Sequence, residues 1–358
     1  MPTASFTGLP AQATPAADAQ ARQALTLLSD LQQHWVSGLQ QLGEKTLQQH
    51  AWLRSAGRCG GGQRYQAADS PLFNRVALNL SQVQYEADPE RPLASATALS
   101  CILHPQHPHW PSLHMHISWT APKNSLGSWR LMADLNPALP DAADQQRFSQ
   151  ALQTLAPTHW AQAFAEGERY FYIPALQRHR GVSHFYLECL QAPDPLAEPA
   201  AVKAFGQGVI DTYLGLLQAK QAVQLPISPA DQAAQLDYHS LYFFQVLTLD
   251  RGTSSGVLVH SDNDSGILGS LPGAVDKNLL RSWLPQMPAP QDQLLNSLLE
   301  VLPDETPSSV SEALKPALAE RLRAHYRQHP DALALQARGS VLPPTIQNHQ
   351  RRRAAEPS

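Results

Sequence analysis

Leu28, Leu31, Trp35, Leu39 and Leu42 recur at spacings of 3, 4, 4 and 3, the stripe of a helix that the pattern carries from about residue 20 to 50. Gly57 is the expected end, and the triple glycine Gly60-Gly61-Gly62 follows it. From Leu72 to Glu86, and again from Ala96 to Thr120, the period changes to two, which predicts strands. Pro105, Pro108 and Pro111 divide the second stretch into two strands around a turn. On the latter strand Met115, Ile117 and Trp119 point one way, and His114, His116 and Ser118 the other. Trp129 to Leu135 reads as a strand, Asp141 to Leu155 and Trp160 to Tyr172 as helices, His184 to Leu190 as a strand, and Pro199 to Val223 as a helix. Leu241 to Asp250 reads as a strand that turns at Asp250-Arg251-Gly252-Thr253 toward a partner beginning at Gly256. Short helices are expected at Leu279 to Trp283 and Leu294 to Leu302. Strands hold the middle, helices flank them and no βαβ rhythm appears, so the predicted class is an antiparallel α+β architecture and not a doubly wound sheet.

With 358 residues, 43% hydrophobic and 16% charged, the chain has enough apolar material for a folded core. The formal net charge of −4 leaves no basic field to recruit nucleic acid or anionic lipid. No apolar run approaches the ~18 residues a membrane span requires. Cys59, Cys101 and Cys189 are odd in number and far apart, which fits a reducing cytoplasm better than a disulfide framework. Residues 1–20 read as a flexible Ala/Pro/Thr leader, and 21–303 as one domain. Residues 304–358 read as an extra helical and polar extension with a basic tail, Arg351-Arg352-Arg353. Ser309 or Ser311 is the expected cap of a helix carrying Leu314, Leu318 and Leu322.

The densest candidate chemistry is His104, His107, His109, His114 and His116, within thirteen residues. They could hold a divalent metal or do acid–base work, or be exposed rings on a Pro/His turn. Asp134 precedes Asn136-Pro137, where an Asx-turn is its ordinary use. Glu188 is a desolvated base in one strand register and a solvated residue in the other. Asp250-Arg251 reads as a structural ion pair at a turn, and Cys189 lacks the setting of a nucleophile. Neither a phosphate-binding glycine loop nor a GxSxG elbow is present.

Several segments, in order from about residue 50 to 303, resemble the oxygen-dependent coproporphyrinogen III oxidase family. Leu78-Asn79-Leu80-Ser81-Gln82-Val83 is similar to its VNFSHVHG strand, and Ser100 to Pro105 to S-x-x-x-H-P. Pro111 to Ser118 resembles P-T-x-H-x-N-V-R, Asp134-Leu135-Asn136-Pro137 resembles DLTP, and Tyr170-Phe171-Tyr172 resembles YFY. Arg180-Gly181 with Phe185 to Leu190 is similar to RGIGGxFFDDL, Asp250 to Gly256 to DRGTxFG, and Ile267 to Pro272 to ILMSMPP. The resemblance implies an α+β fold, a large antiparallel sheet flanked by helices on both faces, in a homodimer that converts two propionates of a reduced tetrapyrrole to vinyls by oxidative decarboxylation, with O2 as acceptor and no organic cofactor. It implies His114 as acid–base group, Glu188 as a base, and Ser100, His116, Ser118 and Arg180 as substrate-lining residues, with a divalent metal at His104 and His114 left open. Ser118 stands where the family has arginine, His116 for asparagine, Glu188 and Cys189 for two aspartates, and Arg130 to Ala133 for glycines. Those departures set a second reading beside the first: a non-catalytic or altered-substrate relative that binds a tetrapyrrole or a protein partner.

Overall fold

The computed structural model describes residues 8–223 and 225–351, so the first seven residues of the expected leader, and Arg352 and Arg353, lie outside the described residues. Helix α1 (Ala19–Gln41) leads into six strands: β1 (Gln48–Leu53), β2 (Gly60–Ala68), β3 (Phe73–Gln84), β4 (Leu93–Pro105), β5 (Ser112–Pro122) and β6 (Ser128–Asn136). Helices α2 (Ala142–Leu155) and α3 (Trp160–Phe171) and the small ladder β7 (Tyr172–Ile173) with β8 (Arg178–His179) precede β9 (Ser183–Leu190), which returns to pair with β6. The result is a seven-stranded antiparallel sheet in the order β1-β2-β3-β4-β5-β6-β9. The predicted α+β class is the observed one.

One face of the sheet packs on α1, α2 and α4 (Pro199–Val223). The α1 stripe Leu28, Leu31, Trp35 and Leu39 is fully buried there against Leu78, Leu99, Met115 and Ile117. The helix stops well short of residue 50. Gly43 adopts φ +100, and the amides of Gly43 and Glu44 bond the carbonyls of Gln40 and Leu39, a glycine-terminated C-cap. The chain is then free to enter β1 at Gln48. The triple glycine opens β2, and a Cβ on Gly60 (φ +89) would sit 2.1 Å from the Gln82 carbonyl oxygen of β3.

The opposite face meets a second core built by α5 (Pro229–Thr248), α6 (Arg251–Val259), the short α7 (Asp264–Ile267) and α8 (Lys277–Ser282), α9 (Gln291–Val301) and α10 (Lys315–Gln328). The two-residue ladder of β10 (Ala274–Val275) and β11 (Ser308–Ser309) ties its ends, and α11 (Thr345–His349) follows α10. Three expectations are corrected here. The strand read at Leu241 to Asp250 and its partner at Gly256 are the helices α5 and α6. Every residue from Tyr238 to Thr248 is buried, so no polar face betrays the helical period. Neither Ser309 nor Ser311 caps α10, which begins with Leu314 at the N-cap and Pro316 in its first turn. Leu318, Leu322 and Tyr326 of α10 belong to the second core, so the chain beyond residue 304 is built into the fold rather than appended to it.

The leader is also corrected from Gly8 onward. Leu9, Ala13 and Ala16 are buried, and the Ala16 and Ala17 amides donate to the side chains of Gln82 and Glu86, each at 2.8 Å. Among the described residues no helix is long and apolar enough to cross a membrane.

Candidate active site

The sheet face turned toward α5 and α6 carries small side chains at its centre: Ala77, Asn79 and Ser81 on β3, Ala98 and Ser100 on β4. Their apolar strand neighbours fill the opposite core, as a period of two requires. The missing bulk leaves a cavity of about 520 Å3 between sheet and helices, within the size range of small-molecule sites. Its floor spans five strands, roughly 19 Å across at the ~4.8 Å strand spacing, broad enough for a flat macrocycle. Tyr242 and Val246 of α5, Arg251 to Val259 of α6 and a stretch from Pro343 to His349 form the rest of the wall.

A buried charge network lies at one end. His114 and Asp134 are direct cross-strand partners on β5 and β6. Asp134 Oδ1 sits 3.1 Å from His114 Nδ1, and Oδ2 sits 3.0 Å from Arg180 Nη1. The His114 approach is off the line of a formed hydrogen bond, so it acts as an electrostatic contact. Arg180, only 1% exposed, also donates from Nη1 to Asn136 Oδ1 at 2.7 Å and from Nε to Gln245. Burial alone would raise the Asp134 carboxyl, but Arg180 and His114 overcome it and hold the pKa at about 2.

A second network lies farther along β6. Arg130 is the cross-strand partner of Ser118, so a guanidinium enters the cavity beside the position where the resemblance led one to expect it. Its Nε lies 2.9 Å from Glu188 Oε1, and its guanidinium stands over the rings of Tyr186 and Tyr170 at 5.1 and 5.8 Å. Glu188 faces inward because β9 bulges: Glu188 and Cys189 together oppose Arg130, and Cys189 takes φ +57. Its carboxylate accepts the Tyr186 hydroxyl at 2.7 Å, so it orients Arg130 instead of standing free as a base. The Tyr170 hydroxyl donates to Asp250 Oδ1 at 2.8 Å, and Asp250 Oδ2 caps α6 through the Thr253 amide. Asp250 therefore does not pair with Arg251, which corrects the ion pair read at that turn. Arg251 is half-buried in the cavity wall, donates from Nη2 to the Leu333 carbonyl, and has no carboxylate within ion-pair distance among the described residues.

The other expected site residues fall into two groups. Ser100, His116 and Ser118 line the floor, with Ser100 Oγ 2.6 Å from His116 Nδ1. Burial, reinforced by Arg130 and His114, pushes the His116 ring well below the usual imidazole range, so it is neutral near pH 7. His104 sits apart, 1% exposed under Tyr242. Its Nε2 donates to the Ser270 carbonyl at 3.1 Å, and Nδ1 accepts from the Ser112 hydroxyl at 3.0 Å. Both ring nitrogens are engaged, and among the described residues no three His, Cys, Asp or Glu side chains converge on a metal-sized space. The pairing of His104 with His114 as metal ligands does not fit this arrangement.

Among the described residues, four of the buried polar atoms with no hydrogen-bond or ion-pair partner belong to residues that line the cavity: Trp52 Nε1, Asn79 Oδ1, Arg251 Nε and His260 Nδ1. Folded proteins seldom leave such atoms unmatched. Trp52, Asn79, Arg130, Arg251 and His260 were not singled out in the sequence as binding residues. For Arg130 the signal was present, since pairing β6 with the His114-His116-Ser118 face puts it there. His260 follows α6, whose helical form the pattern concealed.

The cavity lies on one face of the antiparallel sheet, with the His114, Asp134 and Arg180 network at one end. The family model for coproporphyrinogen III oxidase matches residues 23–301. The chain belongs to that family, the oxidoreductases that act on coproporphyrinogen in porphyrin biosynthesis.

Proposed function

We propose that this protein converts propionate side chains of coproporphyrinogen III to vinyls by oxidative decarboxylation, with O2 as electron acceptor and no organic cofactor. Arg251 carries this reading: its guanidinium lines the cavity with no carboxylate within ion-pair distance among the described residues and suits a carboxylate, and the broad floor suits a macrocycle. Each propionate loses CO2, one proton and two electrons to become a vinyl, and the electrons pass to O2. The electron-rich pyrrole becomes a stronger donor once its N–H proton is removed. His114 is the base for that proton. Asp134 beside Nδ1 favours a proton on that nitrogen and stabilises the ring once it is charged, which leaves Nε2 to act. Arg251 grips a propionate, and Arg130, held by Glu188, takes a second. The free thiols of Cys59, Cys101 and Cys189 support a cytoplasmic setting, and the homodimer belongs to this reading through the family.

Aerobic incubation with coproporphyrinogen III, followed by chromatography of the porphyrins, is expected to yield protoporphyrinogen; none at high protein concentration overturns the reading. Arg251→Ala removes a charge-assisted bond of roughly 1.5–3 kcal/mol and is expected to weaken coproporphyrin III binding about 10- to 100-fold in a fluorescence titration. One observation favours the non-catalytic alternative: Arg130 and Arg180 already face Glu188 and Asp134. Tight porphyrin binding without turnover would select it.

A further inference from the structure

The matched family region ends at residue 301, yet Pro343, Pro344, Thr345, Asn348 and His349 form part of the cavity wall. We propose that residues 339–351 are a strap that opens and closes over the cavity, latched at His349, and that this strap sets how fast a ligand enters and leaves.

The strap is held at its two ends. At the first, the Ala337 amide donates to the Leu249 carbonyl and the Ser340 amide to Glu166. At the other, His349 packs edge-on against Tyr85 and His260, ring centroids 5.7 and 4.9 Å away, and its Nδ1 lies 3.2 Å from the Tyr85 hydroxyl. Arg91 donates to the His349 carbonyl, and Arg351 pairs with Asp88 at 3.1 Å and Glu90 at 3.5 Å. Burial, with His260, Arg54 and Arg91 nearby, keeps the His349 ring neutral, so Nδ1 can accept the Tyr85 proton.

Between its ends the strap is held mainly by α11 resting against α6. The amides of Thr345, Asn348 and Gln350 bond to carbonyls inside the strap itself, and Pro343 and Pro344 have no amide to give. Val341 and Leu342 are 42% and 48% exposed. Opening the latch therefore breaks side-chain contacts to the β3–β4 turn, to His260 and between α11 and α6, and leaves the strand ladders whole, the profile of a local opening. Immediately outside lies a second hollow edged by Arg54, Arg91 and Arg351, which shares Val259 and His349 with the inner cavity. A ligand with several carboxylates meets these guanidiniums first and competes with Asp88 for Arg91 and Arg351, the residues that fasten the latch.

Hydrogen exchange followed by mass spectrometry on the full chain, His349→Ala and Tyr85→Phe tests the strap without any ligand. Amides of 345–350 are expected to exchange about a hundredfold faster than those of β3 to β6, and about tenfold faster again in each variant, with the sheet unchanged. Stopped-flow fluorescence is expected to show coproporphyrin III leaving either variant about tenfold faster than the full chain. Exchange of 345–350 in step with the sheet, or porphyrin dissociation unchanged in both variants, overturns the proposal. The ligand arm rests on the tetrapyrrole reading of the cavity. If coproporphyrin III binds no form of the protein, that reading falls and the exchange arm alone decides the strap.

Discussion

Replacing Arg180 by alanine is expected to cost the fold about 3–5 kcal/mol, read as a lowered guanidinium chloride midpoint. The side chain is 1% exposed, and its removal leaves Asp134, fully buried, with only the imidazoles of His114 and His184 as charge partners among the described residues. It also strips partners from Asn136 and Gln245. The pH dependence separates this cause from lost packing. In the natural chain Asp134 titrates at about 2 when folded, below its ordinary value of 3.8. Its contribution to stability, about 2 kcal/mol, is therefore full above pH ~4 and disappears as the pH falls from ~4 to ~2. Without Arg180 burial has less to oppose it, the folded pKa rises toward the unfolded value, and the loss of stability on acidification from pH ~4 to ~2 should shrink. Adding Asp134→Asn to Arg180→Ala should recover part of the loss. A variant losing less than ~1 kcal/mol, or keeping the natural acid profile, contradicts this account.

His114→Ala is expected to lower turnover of coproporphyrinogen by about 10²- to 10⁴-fold, the usual contribution of a positioned acid–base group. The cavity keeps Arg251 and Arg130, so coproporphyrin III affinity should change far less than turnover. Asp134→Asn should lower the rate less than His114→Ala does, because the imidazole stays in place and only the carboxylate beside its Nδ1 is lost. Equal turnover in His114→Ala and the natural chain removes the imidazole from its role.

Much of the sheet could be read from the sequence, because β3 to β6 each bury the face turned to α1 and α4, and β4 and β5 alternate over most of their length. The same alternation put His114, His116 and Ser118 on one side of β5, where the cavity lies. Helix α5 escaped because burial on all sides erases the amphipathic signal, leaving a run of aromatic and branched residues that imitates a strand. Glu188 could not be assigned to a face, because its direction depends on a bulge that leaves no periodic trace. Asp250 was legible as turn chemistry; that it caps α6 and turns to Tyr170, leaving Arg251 without a carboxylate among the described residues, is a fact of three-dimensional packing. The cavity wall beyond residue 340 was unreadable for a different reason, since Pro343 and Pro344 sit in a stretch with neither helical nor strand rhythm.

The two residues that oppose Arg130 on the last strand alter how relatives of this chain should be compared. Where a relative lacks the extra residue, column-by-column matching would equate an inward acid with an outward side chain, and a preserved carboxylate would be scored as lost or the reverse. Counting which residues reach the hollow, strand by strand, is the safer measure of kinship in chemistry.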